Sequence, residues 1–143
     1  MTESKLPPLY SLTAIGIATF LGSALAAGFM LASNYTALGR KTLGNYTLGG
    51  SVAVVVLLTV ISTFFEVSLL SIFALNFAQL FLALFAAHYL QGSMFASYES
   101  MGGSYHPWYR AVFVAIGTSV ALVLLSFILV VVFGVEPQVP AES

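Results

Sequence analysis

Residues 51–91 read SVAVVVLLTVISTFFEVSLLSIFALNFAQLFLALFAAHYLQ, without a Gly or a Pro and with Glu66 as the only formal charge. As one helix this stretch would extend about 60 Å, twice the roughly 30 Å of a bilayer's hydrocarbon core. The chain must therefore turn back within it. The lone charge marks the place: a tight hairpin near 64–68, with an apolar helix over about 48–65 before it and another over about 69–90 after it.

The pattern continues outward in both directions. Charge-free runs cover 6–39, 42–65, 67–98 and 111–135, and each is long enough for a helix to cross the hydrocarbon core. The expected fold is all-α, a polytopic membrane protein with four transmembrane helices at about 10–33, 48–65, 69–90 and 108–133, bundled as a single membrane domain over 1–143. Composition agrees, with 59% hydrophobic and 6% charged residues and a mean hydropathy of +1.01, where soluble domains carry roughly 25% charged residues. The lipid bilayer is the first partner this implies.

Composition also removes function classes. A net charge of −1 supplies no basic field for nucleic acid and no polybasic patch for anionic lipid. With Cys absent, disulfides, thiolate catalysis and Cys-held metal or iron–sulfur centres are excluded. Asp is absent too, so a Ser-His-Asp triad would need Glu as its third member. Gly102-Gly103 is too short a motif for a phosphate cradle. No cofactor is expected.

The first apolar run also has features of a secretory signal, since Lys5 precedes it and Ala24-Leu25-Ala26 resembles a cleavage site. It continues past that site through Phe29, Met30 and Leu31, and Pro7-Pro8 stands where a basic region would be, so an uncleaved helix is the reading adopted. Within it Ala14, Ala18, Gly22 and Ala26 recur at i+4. In lipid, small residues at that spacing let helix backbones approach closely, because packing drives association there. These four form the expected helix-packing face.

Asn34 to Gly49 reads as a polar connection carrying Arg40 and Lys41, with the echo Asn34-Tyr35-Thr36 and Asn45-Tyr46-Thr47. Both copies match the N-glycosylation pattern, but they abut the membrane beside a basic pair. The interfacial reading is preferred: Asn capping a helix end and Tyr at headgroup level. Gln91 to Arg110 is the second polar segment, and Tyr98, Tyr105, Trp108 and Tyr109 mark an interfacial belt.

The polar residues at depth are the remaining candidates. Thr59, Ser62, Thr63 and Glu66 share an arc of the second helix, and Asn76 and Gln79 lie about 60° apart on the third. Such side chains avoid lipid by bonding to a neighbouring helix or by lining a wet path. Packing is the leading reading. A solute or ion path between the second and third helices, with Glu66 as a proton carrier, is the alternative. His88, Glu99 and His106 are the only set suited to a metal, or to haem through the two His, but their spacing matches no local ligand pattern, and no metal site is assigned. Arg40, Lys41 and Arg110 fall on one side of a four-span chain and only Lys5 on the other, which predicts both termini outside the cytoplasm.

Phe20-Leu21-Gly22-Ser23 with the small residues to Gly28, Asn34-Tyr35-x-x-Leu38-Gly39, then Thr42-Leu43 or Thr47-Leu48, and the late Gly102-Gly103-x-x-x-Pro107-Trp108 resemble a family of short bacterial four-helix membrane proteins. The resemblance spans most of the chain and implies a bacterial inner-membrane location and no particular activity. Members of that family often place Pro or a longer loop between the middle helices, which this chain lacks. The expected function is non-enzymatic: a helical bundle acting by association, as a homo-oligomer or as an accessory subunit with another membrane protein. A small channel or transporter is the alternative, and a haem protein or membrane enzyme using His88 and His106 the weakest.

Overall fold

The computed structural model describes residues 6–64 and 68–134. They form five helices: α1 (Leu12–Leu21), α2 (Ala24–Ala37), α3 (Lys41–Phe64), α4 (Leu69–Ser100) and α5 (Tyr109–Phe133). The all-α class holds. Three of the helices are long and apolar enough to cross a membrane, over Lys41–Ser62, Leu69–Ser100 and Tyr109–Val132.

The first apolar run departs from expectation. In place of one helix over 10–33 it forms two, broken at Gly22–Ser23. Gly22 ends α1 by donating its amide to the Ala18 carbonyl at 2.8 Å. The Ser23 backbone is extended, and its hydroxyl caps α2 by accepting from the Leu25 amide at 3.1 Å. Gly/Ser pairs are recognised sites of helix interruption, and Ser is a strong N-cap because its oxygen satisfies an amide the helix itself leaves open.

α1 and α2 do not continue in line. Tyr10, just before α1, is hydrogen-bonded to Asn34 in the last turns of α2. A straight span would hold those two residues on opposite sides of a core about 30 Å thick. Contacts with the other helices agree. Gly16 faces Leu84 and Phe20 meets Phe77 along α4, so α1 runs against α4. The Ala24 amide reaches Gln79, and Leu31 reaches Gln91, so α2 runs with it. The pair is a helical hairpin, each arm about 15–20 Å long, with its tip beside Phe77 and Gln79 in the first third of α4.

Small residues let this hairpin sit among the long helices. Ala14, Ala18, Ala26 and Ala27 are buried together with Ala83 and Ala87 of α4 and Ala111 and Ala115 of α5, around Tyr10, Ile15, Met30 and Leu31. A side chain at Gly22 would begin 2.8 Å from the Ala18 carbonyl oxygen and 3.0 Å from the Ala115 Cα, inside normal van der Waals separation. The expected small-residue series is thus divided, with Ala14 and Ala18 on α1, Gly22 in the break and Ala26 on α2.

The start of α3 and the end of α4 shift outward, while the starts of α4 and α5 fall within one residue of expectation. The connection expected at 34–49 shrinks to 38–40, a tight C-cap in which Gly39 has φ +78° and the Arg40 amide donates to Tyr35 at 2.8 Å, the Schellman arrangement. α3 begins seven residues earlier than expected, where its Gly44 packs on α2. Gly44 lies against Ala32 and Thr36, and Gly28 of α2 abuts Ser51. α4 runs on to Ser100 and ends at Gly102, φ +74°, leaving a shorter second connection. The expected reversal near 64–68 falls on residues of which 65–67, including Glu66, lie outside the described ones.

Gly22→Leu should cost about 1–3 kcal/mol, the usual penalty for overfilling a close backbone contact. Gly117→Leu, where an added Cβ meets nothing within 4 Å, should be nearly silent. Thermal unfolding in mild detergent reads the difference, and equal shifts for the two variants would show that the tip does not require a small residue.

Candidate functional site

A buried polar node closes the base of the hairpin. Asn34 is 1% exposed and Gln91 is fully buried, and polar groups so placed must be bonded to be tolerated. The Tyr10 amide donates to Asn34 Oδ1 at 2.7 Å, and Asn34 Nδ2 donates to the Tyr10 carbonyl at 2.9 Å and to Gln91 Oε1 at 3.0 Å. Gln91 Nε2 donates in turn to the Leu31 carbonyl at 3.0 Å. The Tyr35 hydroxyl donates to the Leu90 carbonyl at 3.3 Å. One side-chain amide thereby ties the entry to α1, the end of α2 and the C-terminal half of α4 together. Among the described residues no buried side-chain nitrogen or oxygen is left without a partner.

The segment before α1 is strapped to the α4–α5 connection at the same end. The Leu9 amide donates to the Ser104 carbonyl at 3.2 Å, and the His106 amide donates to the Leu9 carbonyl at 2.8 Å. The buried Tyr98 hydroxyl reaches the carbonyls of Pro7 and Ser104. The Tyr10 and His106 rings are 4.6 Å apart. His106 also meets the Arg110 guanidinium at 3.0 Å, and desolvation followed by the Arg110 charge pushes its pKa below the usual histidine value. Tyr105 donates to Glu99 at 3.0 Å. Desolvation and that hydrogen bond, with the Glu99 charge behind them, push its phenol up to about 12.

At the other end of the hairpin, Gln79 Oε1 accepts from the Ala24 amide at 3.2 Å, satisfying one of the open amides of the first turn of α2. Asn76, three residues earlier, is exposed and donates to the Ile72 carbonyl of its own helix at 3.0 Å. The two residues thus point to different surroundings: Gln79 into the hairpin tip, Asn76 outward. Thr59 and Ser62 donate to carbonyls one turn back in α3. Glu66, and with it any carboxylate role, lies outside the described residues.

α3 packs on α2, while α4 packs on α1 and α2. Between α3 and α4 lies an open groove of about 380 Å³, walled by apolar side chains apart from Tyr46, Thr47, Ser51 and Gln79. Such a wall offers a hydrated permeant few groups to replace its water. Among the described residues no group of three His, Cys, Asp or Glu could hold a metal ion. His88 stands exposed on α4, apart from the strap that holds His106.

The Asn34–Gln91 pair was not singled out by sequence reasoning, which took Asn34 as an interfacial cap. The echo gave no signal for it. Asn34-Tyr35-Thr36 and Asn45-Tyr46-Thr47 look alike, yet Asn34 is buried and Asn45 exposed, and burial also removes Asn34 as a glycosylation acceptor. Asn34→Ala should destabilise by about 1–3 kcal/mol, since it strands the Tyr10 amide and Gln91, whereas Asn45→Ala should stay within about 0.5 kcal/mol. The two detergent melting curves provide the check, and similar behaviour would mean that the node does not hold the hairpin. No family model, no curated protein and no solved structure matches the chain.

Proposed function

We propose that this is a non-enzymatic membrane protein that works by association, joining a second copy or another membrane subunit through the outer face of α4. Asn76 carries the reading. It sits seven residues into an apolar helix, flanked by the exposed Phe73 and Phe77, and among the described residues only its Nδ2 is bonded, to Ile72. Its amide oxygen would face hydrocarbon in a lone chain, and amide side chains at depth act as glue between helices. Asn76→Leu should shift self-association in lipid toward monomer by a few-fold, in line with about 0.6 kcal/mol per such bond, and Asn76→Gln should restore it. Subunit-counting photobleaching at varied lipid dilution reads this. A wild type that is monomeric throughout, and that co-purifies with no membrane subunit Asn76→Leu would release, overturns the proposal.

The membrane arrangement consistent with this reading has three spans, α3, α4 and α5, with α1–α2 as a re-entrant hairpin in place of a fourth. Apolar helices of 10–14 residues suit re-entrant segments, and irregular backbone at depth is tolerated where protein buries it. The strap, the α2–α3 turn and the α4–α5 connection share one end, which carries Arg40, Lys41 and Arg110, so the basic-residue rule assigns that end to the cytoplasm. The resemblance to short bacterial membrane proteins supports an inner-membrane location. A reporter fused after Ser143 should be translocated and one fused before Met1 should not. Translocation of both would favour four spans.

A further inference from the structure

We infer that His106 is a proton-sensitive latch: its neutral ring keeps residues 7–9 strapped to the α4–α5 connection, and protonation of the ring lets that strap open. The inference goes beyond the association proposed above and does not rest on it.

Geometry fixes the charge of the closed state. His106 Nδ1 lies 3.0 Å from a guanidinium nitrogen of Arg110. A guanidinium is always protonated and has no acceptor, so the ring nitrogen must accept, and it does so only without a proton of its own. The contact therefore assigns a neutral ring with its hydrogen on Nε2. A second proton, arriving at Nδ1, removes the hydrogen bond and sets two cations against each other.

Burial acts in the same direction. The half-buried His106 ring lies 4.6 Å from that of the buried Tyr10, so charging it there also costs solvation. Desolvation first and the Arg110 charge second hold its pKa below the ordinary histidine value. A cation–π attraction to Tyr10 acts the other way, one contribution against the lost hydrogen bond, the lost solvation and the repulsion from Arg110. With the strap open the ring stands in water, where it takes the proton more readily, so acid favours the open form. The other titratable groups around it are Arg110, Tyr10, Tyr98, Tyr105 and Glu99. Arg110 keeps its charge throughout, and desolvation pushes Tyr105, bonded to Glu99, up to about 12.

The backbone carries the signal to the strap. The His106 amide donates to the Leu9 carbonyl at 2.8 Å, and the Leu9 amide to the Ser104 carbonyl at 3.2 Å. A ring that turns out to water draws on the first of these bonds directly. Tyr10, one residue on, stays tied to Asn34, which confines the opening to the strap and leaves the hairpin in place.

The experiment is amide hydrogen exchange, resolved by NMR, on the full chain in phosphatidylcholine nanodiscs between pH 5.5 and pH 8, with each rate taken relative to an unstructured peptide at the same pH. Protection of the Leu9 and His106 amides should be full at pH 8 and fall as the pH drops through about 6.5, the ordinary histidine value. The total fall should be about two- to tenfold, the effect of one hydrogen bond, while the Tyr10 amide keeps its protection. His88→Gln, which removes the chain's other histidine, should behave as wild type. His106→Gln, which offers Arg110 an acceptor but takes up no proton, should lose the pH dependence. Constant protection in wild type, or the same fall in His106→Gln, overturns the latch. A fall shared by Tyr10 in wild type overturns it too, by showing that acid opens the hairpin as a whole. Where His106→Gln has lost protection at Tyr10 already at pH 8, the wild-type ring decides: its resonances and those of the strap amides should move at one midpoint, and separate midpoints overturn the proposal.

Discussion

The exchange of hydrogen bonds between the Asn34 side chain and the Tyr10 backbone is the constraint on which the arrangement depends. A segment that enters an apolar medium and turns back must satisfy its backbone groups at three places: where it enters, at its tip and where it leaves. Asn34, placed where the segment leaves, serves the first, because its amide carries a donor and an acceptor side by side, matching the backbone N–H and C=O of Tyr10, and the last is closed by the Gly39 cap. Gln91 extends the pairing to α4. At the tip the work is shared by Ser23, which caps its own helix, and Gln79, which reaches across from α4. Two glutamines a little over three turns apart on one helix thus fix both ends of the same hairpin.

That division explains what the sequence made legible. Long helices and their lipid-compatible composition follow directly from charge-free runs, and the starts of α4 and α5 lay within one residue of expectation, at Leu69 and Tyr109. The hairpin was hidden because hydropathy averaged over residues 10–33 cannot tell one span from two half-length helices. The distinguishing residues, Gly22 and Ser23, are small and sit comfortably in either. The start of α3 was obscured for the opposite reason. Thr42, Gly44, Asn45 and Thr47 have loop character, and only the close packing of Gly44 and Gly28 across the α2–α3 contact makes them helical. Gln79 and Asn76 were flagged as a pair from spacing alone, whereas the α1–α2 tip lies on one side of α4 and separates their environments.

The alanine-rich interior follows from the same solvent argument. In lipid, burying a large apolar side chain gains little over leaving it among acyl chains, so helices associate where their backbones can come close. Ala14, Ala18, Ala83, Ala87, Ala111 and Ala115 meet at the centre, while Phe81, Phe85, Phe113 and Phe127 are directed outward. A water-soluble bundle would invert that choice. The hairpin occupies the space between α4 and α5 that large side chains would otherwise fill, and it holds α3 at a distance from α4. The groove is what remains where α2 is too narrow to close that gap.

A hairpin that returns to its starting face also changes the count of crossings from even to odd, and this bears on charge. With four spans, the segment leading into α1 lies opposite Arg40, Lys41 and Arg110, and the basic residues are split between two surfaces. With three, Leu9 is held beside Ser104 and His106, so the strap shares one surface with Arg40, Lys41 and Arg110, the basic residues among the described ones. The exposed aromatic residues Tyr46, Tyr89, Trp108 and Tyr109 gather near the same end, at the level where an interfacial belt is expected. The arrangement that satisfies the backbone of the hairpin is therefore also the one that concentrates basic and aromatic anchors at a single membrane face. In the three-span arrangement proposed above, the bonding of the hairpin and the positions of Arg40, Lys41 and Arg110 point the same way.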